Sequence, residues 1–444
     1  MKKNILELID TNNISDAKNE LINMKIVDIA QMLEETESQN LLKILRILPK
    51  ETAAGVFSYM SMEQQRYIIE SITDKEIEYI INELFLDDTV DFLEEMPANV
   101  VKKVLKNTDE QTRRLINQFL NYPEHSAGSI MTIEYVDLKK EMTAAEAIEH
   151  IRRTGVDKET INTCYVIGEG RILEGVISIR RLILSESTLL IGDIMETDVI
   201  HVNTHDDQEI LASLFRKYDL TSMPVVDNEC RLVGIVTIDD VVDIIDQENT
   251  EDFQIMAAME PSEEEYLKTS PLKLAKHRII WLLVLMISAT FTGRIIKRFE
   301  DVLQSVVVLT AFIPMLMDTG GNAGSQSSTL VIRGLALGEI KLKDIFKVLC
   351  KEFSVSFIVG IVLSAINFLR IYYIEKVDFF VSLTVSISLF ATVMLAKIVG
   401  GVLPILARKL KMDPAIMASP LITTIVDAFA LMIYFTTATW LLGI

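Results

Sequence analysis

The sequence predicts a multidomain membrane protein. It has an all-α domain of short helical repeats, an α/β module in two copies, a connecting helix, and an all-α membrane domain of five helices. Three observations carry this reading. The charge is split: residues 1–276 hold 28 Lys/Arg against 53 Asp/Glu, whereas from His277 onward there are 15 against 10. Two internal repeats, with periods of about 12 and of 64 residues, fill the acidic part. The rest holds five apolar stretches, each within the roughly 17–25 helical residues that cross a hydrocarbon core, or longer.

The first domain is placed at 1–125. Residues 48–116 contain the units LPKETAAGVF, MSMEQQRYII, ITDKEIEYII, LFLDDTVDFL, MPANVVKKVL and NTDEQTRRLI. Each unit opens on a turn or capping residue and closes on an apolar pair. That is the pattern of short helices that must stack to be stable. The opening "MKKNILELIDTNN" lacks an apolar core long enough for a signal peptide, so this domain is expected in the cytoplasm. Cys164, Cys230 and Cys350 show no CxxC spacing, which suggests a reducing compartment and neither a zinc site nor a disulfide framework. With a net charge of −25 and no basic patch, residues 1–276 are a poor match for nucleic acid. Divalent cations suit such a surface, and solubility is the plain alternative.

The α/β module follows from the second repeat. "SAGSIMTIEYVDLKKEMTAAEAIEHIRR" from Ser126 aligns with "LIGDIMETDVIHVNTHDDQEILASLFRK" from Leu190, and "EGVISIRRLI" from Glu174 aligns with "VGIVTIDDVV" from Val233. Each copy supplies a helix, a β-branched strand, a second strand after a Gly turn, and another helix. The pattern resembles a tandem pair of CBS domains, placed at 126–188 and 189–248. That resemblance implies an adenosine nucleotide such as ATP as a possible ligand, its ribose held by an Asp after the G-[IV]-[VI]-[ST] strand. The second copy has Asp239 or Asp240 there, with Asp239 the candidate; the first has Arg180 and Arg181, so one site at most is expected.

Residues 249–277, punctuated by Pro261 and Pro271, read as a helical connector to a membrane domain at 278–444. Its spans are expected near 279–296, 302–332, 346–369, 379–406 and 415–443. Eleven basic residues would flank one set of ends and five the other. By the positive-inside rule the N-terminus is then cytoplasmic and the C-terminus extracellular, in a multi-pass protein of the cell membrane.

One residue breaks the last apolar stretch, "TTIVDAFALMIYFTTATW": Asp427. An acidic residue near mid-span costs about 2.5–3.5 kcal/mol on insertion scales, so a function is expected. The plain alternative is a silent ion pair with a Lys or Arg on a neighbouring span. Pro420 is expected to loosen the helix and free backbone oxygen, and Thr423 and Thr424 add hydroxyls within a turn of the carboxylate. An oxygen-only site without His, Cys or Met suits a hard cation. In the second span, "PMLMDTGGNAGSQSST" gives a small-residue face suited to close helix packing. Asn322 and Gln326 share that face at i,i+4 and are expected to offer oxygen or to donate to carboxylates. Asp318 reads more simply as a charge near the membrane interface.

The order of domains, GGNAGSQ at 320–326 and DPAIMASPLITTIVD at 413–427 are together similar to the MgtE family of magnesium channels. The resemblance spans essentially the whole chain. It implies a homodimer in the lipid bilayer, with Mg²⁺ as both substrate and regulator. It also implies a pore along the second and fifth spans, and a hydrated Mg²⁺ held at Asp427. It further implies cytosolic Mg²⁺ sensing by acidic residues, for which the candidates are Asp87 and Asp91, Asp207, Glu209 and Asp219, Asp240 and Asp243, and Glu248, Glu251 and Asp252. Asp87 with Asp91 and Glu248 with Asp252 each lie one helical turn apart. A wider divalent conductance (Co²⁺, Mn²⁺, Ni²⁺) is the nearest rival reading. A membrane-anchored nucleotide sensor is the next. No P-loop, HExxH or nucleophile–base motif points to an enzyme.

Overall fold

The computed structural model describes residues 5, 8–9, 13–34, 36–94, 96–262, 266–267 and 269–443. Residues 263–265 and 268 of the expected connector therefore lie outside the described residues. The chain divides into two units, Met1–Ile245 and Asp246–Ile444.

In the first unit the sequence period becomes geometry. Helices α1 (Ile14–Ile22), α2 (Ile26–Glu34), α3 (Ser38–Ile47), α4 (Lys50–Ser58), α5 (Met62–Ser71), α6 (Asp74–Glu83), α7 (Leu86–Glu94), α8 (Ala98–Asn107) and α9 (Glu110–Phe119) follow one another. From α2 onward each begins twelve residues after the last, so the repeat reaches further back than residue 48. Nine or ten residues are too few for a helix to persist alone, since about 12–15 are marginal even for good formers. Stacking supplies the missing stability: α2 packs on α4, α4 on α6 and α6 on α8. Ile29, Leu33, Phe57, Ile68, Ile77, Val90, Val100 and Ile116 are buried along the stack, and Phe57 meets Phe92 edge-on at 5.3 Å. Local chemistry sets the ends. Thr73 and Glu76 form a capping box at the start of α6, and the Asp109 carboxylate accepts from Gln111 N and Thr112 N at α9.

The rest of this unit holds two sheets of one design. The first comprises β1 (Asp137–Leu138), β2 (Thr163–Ile167) and β3 (Leu173–Ser178), with α10 (Ala144–Thr154) between β1 and β2 and α11 (Ile179–Leu184) after β3. A short α12 (Ile191–Ile194) leads into the second copy: β4 (Val202–Asn203), α13 (Gln208–Tyr218), β5 (Ser222–Val226), β6 (Leu232–Thr237) and α14 (Ile238–Met256). In both sheets the first strand runs parallel to the second and the second antiparallel to the third. A register shift falls at the same place in each, between Val166 and Ile167 and between Val225 and Val226. Single bridges join the copies reciprocally, Thr132 to Ile235 and Glu196 to Val176.

The second unit contains α15 (Pro271–Arg298), α16 (Glu300–Ser305), α17 (Ile313–Ala336), α18 (Ile345–Leu369), α19 (Phe379–Lys409) and α20 (Ser419–Leu442). Among the described residues, four segments are long and apolar enough to cross a membrane: Pro271–Arg298, Leu342–Ile374, Phe379–Lys409 and Pro414–Leu442. The expected span at 302–332 is not one helix. It breaks after α16 into a 3₁₀ turn over Val307–Phe312, and α17 then starts with Pro314 in its first turn. The run of β-branched residues Val306, Val307 and Val308 disfavours helix there, whereas Pro suits a helix start. The many Gly and Ser residues of α17 keep it from being uniformly apolar. Even so, α17 packs on both α19 and α20.

Candidate cation sites

The packing of α17 fixes what stands near Asp427. A Cβ on Gly324 would lie 2.7 Å from Ile422 Cγ2, and one on Gly400 would lie 2.2 Å from the Gly324 carbonyl oxygen. Only glycine permits this approach of α17 to α19 and α20. Gly321 sits equally close to Thr423, and Gly320 to Val426. Rising numbers on α17 thus meet falling numbers on α20, so the two helices are antiparallel. Two residues further along α17 in this register, Asp318 comes level with Asp427.

Asp427 is the ninth residue of α20 and is half-buried, with Oδ1 enclosed and without a hydrogen-bond partner. Among the described residues no Lys or Arg pairs with it, so the silent ion pair does not exist. Asp318 is the charged group that acts on it. Pro420 differs from expectation. It is the second residue of α20, where a missing N–H breaks nothing, and its carbonyl accepts both the Thr423 and Thr424 hydroxyls at 2.9 Å.

Asn322 and Gln326 stand on α17 with exposed side chains four residues apart, and Asp318 stands four residues earlier, also exposed. Of the two roles expected for Gln326, its contact with Lys397 leaves that of donor. Its Oε1 accepts from Lys397 Nζ at 3.4 Å, and Lys397 is only 5% exposed, deep within α19. An ammonium only donates, so the amide turns its oxygen toward Lys397 and its NH₂ outward. Beside this contact Ser327 donates to Glu352, and Ser328 donates to the Met417 carbonyl at 2.6 Å.

A second acidic group lies outside the spans. Asp252, near the end of α14, is pushed up to about 6, first by burial and then by the charges of Asp413, Glu248 and Glu251, with Arg333 opposing. Arg333 Nη1 donates to Asn249 Oδ1 at 3.4 Å. Asp413 is a participant that sequence reasoning missed as a site residue, although it opens the quoted motif.

The third group is in the first unit. Asp87, 8% exposed, and Asp88 open α7 at its positive end. Burial, then Asp240, then Asp88 raise Asp87 well above the usual carboxylate range. Burial, then Asp240, Asp239 and Glu134, push Asp88 up to about 6. Asp240, whose carboxylate accepts from Thr237 Oγ1 at 2.8 Å, is pushed up to about 6, chiefly by burial, with Asp239 and Asp243 adding to the rise. Glu159 reaches about 7 through burial and the charges of Asp239, Asp240, Asp88 and Glu134. Asp88, Glu134 and Glu159 were not legible as candidates. Asp91, expected to pair with Asp87, is exposed, and Asp88 is the neighbour that acts on Asp87. Asp207 caps α13 by accepting from Glu209 N at 2.8 Å, and Asp219 ends α13 in a left-handed conformation with φ 52°. Among the described residues no three His, Cys, Asp or Glu side chains converge as a ready-made metal site. The carboxylates are close enough to repel without sharing a centre.

Between the two α/β copies lies a cleft of about 280 Å³ lined by Tyr165, Ser178, Arg181, Asp219, Ser222 and Pro224. Asp239, the expected nucleotide residue, does not line it and instead acts on Asp88 and Glu159. The cleft lies on the strand end that carries Ser178 and Arg181 of the first copy.

Residues 313–437 match the MgtE family, described as divalent cation transporters; residues 24–125 match the MgtE intracellular N domain, and 127–186 and 191–247 match CBS domains. The magnesium transporter MgtE of Thermus thermophilus is 37% identical over 419 residues, covering 94% of this chain and 92% of that protein. The magnesium transporter MgtE of Bacillus subtilis is 33% identical over 427 residues, covering 94% of both. The crystal structure of the cytosolic domain of the Mg²⁺ channel MgtE in complex with ATP is similar at 35% identity and a TM-score of 0.53. It covers 55% of this chain and 100% of that one.

Proposed function

The chain belongs to the MgtE family of magnesium transporters, and from that premise we propose that it is a Mg²⁺-selective channel closed by cytosolic Mg²⁺. It is a multi-pass membrane protein and not an enzyme. The observation that carries the reading is Asp427, an unpaired carboxylate in an apolar helix against a glycine-packed neighbour. Mg²⁺ demands octahedral geometry and gives up water reluctantly. A carboxylate acting through the ion's water shell, with the hydroxyl oxygens of Thr423 and Thr424 a turn away, suits a hydrated ion better than a cage of direct ligands. Asn322 belongs to the same path; Gln326 flanks it with its NH₂.

Regulation is assigned to the two acidic groups outside the spans. Without a cation, Asp87, Asp88, Glu159 and Asp240 repel one another, as do Asp252, Asp413, Glu248 and Glu251. Mg²⁺ relieves that repulsion where the carboxylates are close and so favours the arrangement that brings them together, which we assign to the closed state. Asp91, Asp207, Glu209, Asp219, Asp243 and Glu248 remain candidates for this role. Two copies of the chain form the path, with the N-terminal unit in the cytosol, α17 as a further crossing and the C-terminus outside. We assign ATP to the cleft at Tyr165, Ser178 and Arg181; a relative's cytosolic domain is found in complex with ATP. Mg²⁺ flux into liposomes, with Mg²⁺ varied on the cytosolic face, tests the whole reading. Flux that ignores cytosolic Mg²⁺ would remove the gate, and Co²⁺ or Mn²⁺ carried as fast as Mg²⁺ would favour a wider divalent conductance.

A further inference from the structure

Asp318 carries a charge that the reading above leaves unused. It is the sixth residue of α17, exposed in the single chain, and heads a file of polar side chains at intervals of four: Asp318, Asn322, Gln326. A charged group on a helix packed among apolar spans is costly unless it faces water, a partner or an ion. The antiparallel contacts of Gly324 with Ile422 and Gly320 with Val426 bring this end of the file level with Asp427. Asp427 has one oxygen enclosed and without a donor.

Among the described residues no cation pairs with Asp318. Arg370 reaches Met315 Sδ at 3.3 Å, one turn before Asp318, but its charge faces Glu375 at 3.6 Å. Lys397 holds Gln326, eight residues and about 12 Å along α17 from Asp318. Among the described residues neither Asp318 nor Asp427 is in an ion pair. The polar file is thus negative at the end that carries Asp318, while its other end holds Lys397 with Glu352 beside it.

We propose that Asp318 is the loading carboxylate of the cation path, concentrating divalent ions at the outer end of α17 and delivering them to Asp427. This rests on Asp427 lying in the path. Asp427 decides whether ions pass, and Asp318 decides at what external concentration they arrive. A negative charge acts more strongly on a divalent than on a monovalent ion, so Asp318 also biases the mouth toward dications.

The test is single-channel recording of the full-length protein, with Mg²⁺ titrated on the extracellular face at low and high ionic strength. For Asp318→Asn the half-saturating Mg²⁺ should rise about tenfold, the low end of focusing by one-signed clefts. The maximal current should stay near wild type, and added salt should no longer depress the current at low Mg²⁺. Asp318→Glu should restore both, which a packing role would not predict. Asp427→Asn is the reference arm. If it conducts like wild type, the path is misplaced and the premise fails. If it is silent while Asp318→Asn titrates like wild type at both salt levels, the loading role alone is overturned. A loss of maximal current in Asp318→Asn that Asp318→Glu does not restore would also overturn it.

Discussion

Removing the carboxylates at the start of α7 and α14 should stabilise the soluble part of the chain when no divalent ion is present. Asp88 and Asp240 are both mostly buried, and each is pushed from 3.8 to about 6, chiefly by burial. Two pKa units correspond to about 3 kcal/mol. A folded-state pKa above the unfolded value means the fold prefers the protonated form. The related stability is therefore complete below about pH 4 and is lost as pH rises through about 6. Asp240 is itself one cause of the Asp88 shift, so the two contributions overlap. For Asp88→Asn with Asp240→Asn, a joint gain of about 3–4 kcal/mol at pH 7.5 is expected, less than the sum. In a unit of this size that is a rise of roughly 6–15 °C in melting temperature. The assay is thermal unfolding of residues 1–270 in EDTA between pH 5 and 8, repeated with millimolar Mg²⁺. Wild type should lose stability from pH 5 to pH 7 in EDTA and regain it with Mg²⁺, whereas the double variant should respond weakly to both. Equal melting temperatures of the two proteins in EDTA at pH 7.5 would refute the claim that these carboxylates repel in the folded state.

Asp427→Ala should abolish Mg²⁺ permeation and leave folding and dimer formation intact, because Oδ1 has no structural partner to lose; liposome flux and light scattering check this. Neutralising Asp240, Asp243 and Glu251 together to Ala should leave the path open at cytosolic Mg²⁺ levels that close wild type. Each coupling of this kind is worth about 1–3 kcal/mol, and recording with Mg²⁺ titrated on the cytosolic face reads it. Gly400→Ala should destabilise the membrane unit by about 1–3 kcal/mol or more, because its Cβ would fall 2.2 Å from the Gly324 carbonyl oxygen; unfolding in detergent measures it.

Features written into contiguous sequence were legible. The twelve-residue period gave the helical stack, the 64-residue repeat gave the paired sheets, and one Asp in an apolar stretch drew attention to itself. What failed depended on chain ends or on distant partners. Pro420 breaks a helix only if the helix began earlier, and α20 starts at Ser419. Which of its two expected roles Gln326 keeps was not legible, because Lys397, which takes its oxygen, stands 71 residues away with no local sign of that contact. Asp88, Glu134, Glu159 and Asp240 come from a helix of the stack and from both α/β copies, so no spacing rule unites them. Asp91 has the better spacing to Asp87 and stays a candidate, but no spacing rule pointed to the less exposed Asp88.

The same scattering argues that the soluble acidic group answers to divalent ions more than to pH. Asp88 and Asp240, displaced to about 6, are still roughly ten to one ionised at pH 7, so the repulsion between these two is largely present at neutral pH. Protonation would relieve it only after the surroundings became about tenfold more acidic. A monovalent cation offsets one charge and must be trapped in numbers to matter. A dication offsets two at once and ties together carboxylates contributed by α7 and α14. These come from segments about 150 residues apart in sequence, so an ion held between them joins parts of the chain that the backbone leaves free to separate. The carboxylates that repel most are thus also those best placed to turn ion binding into a change of arrangement.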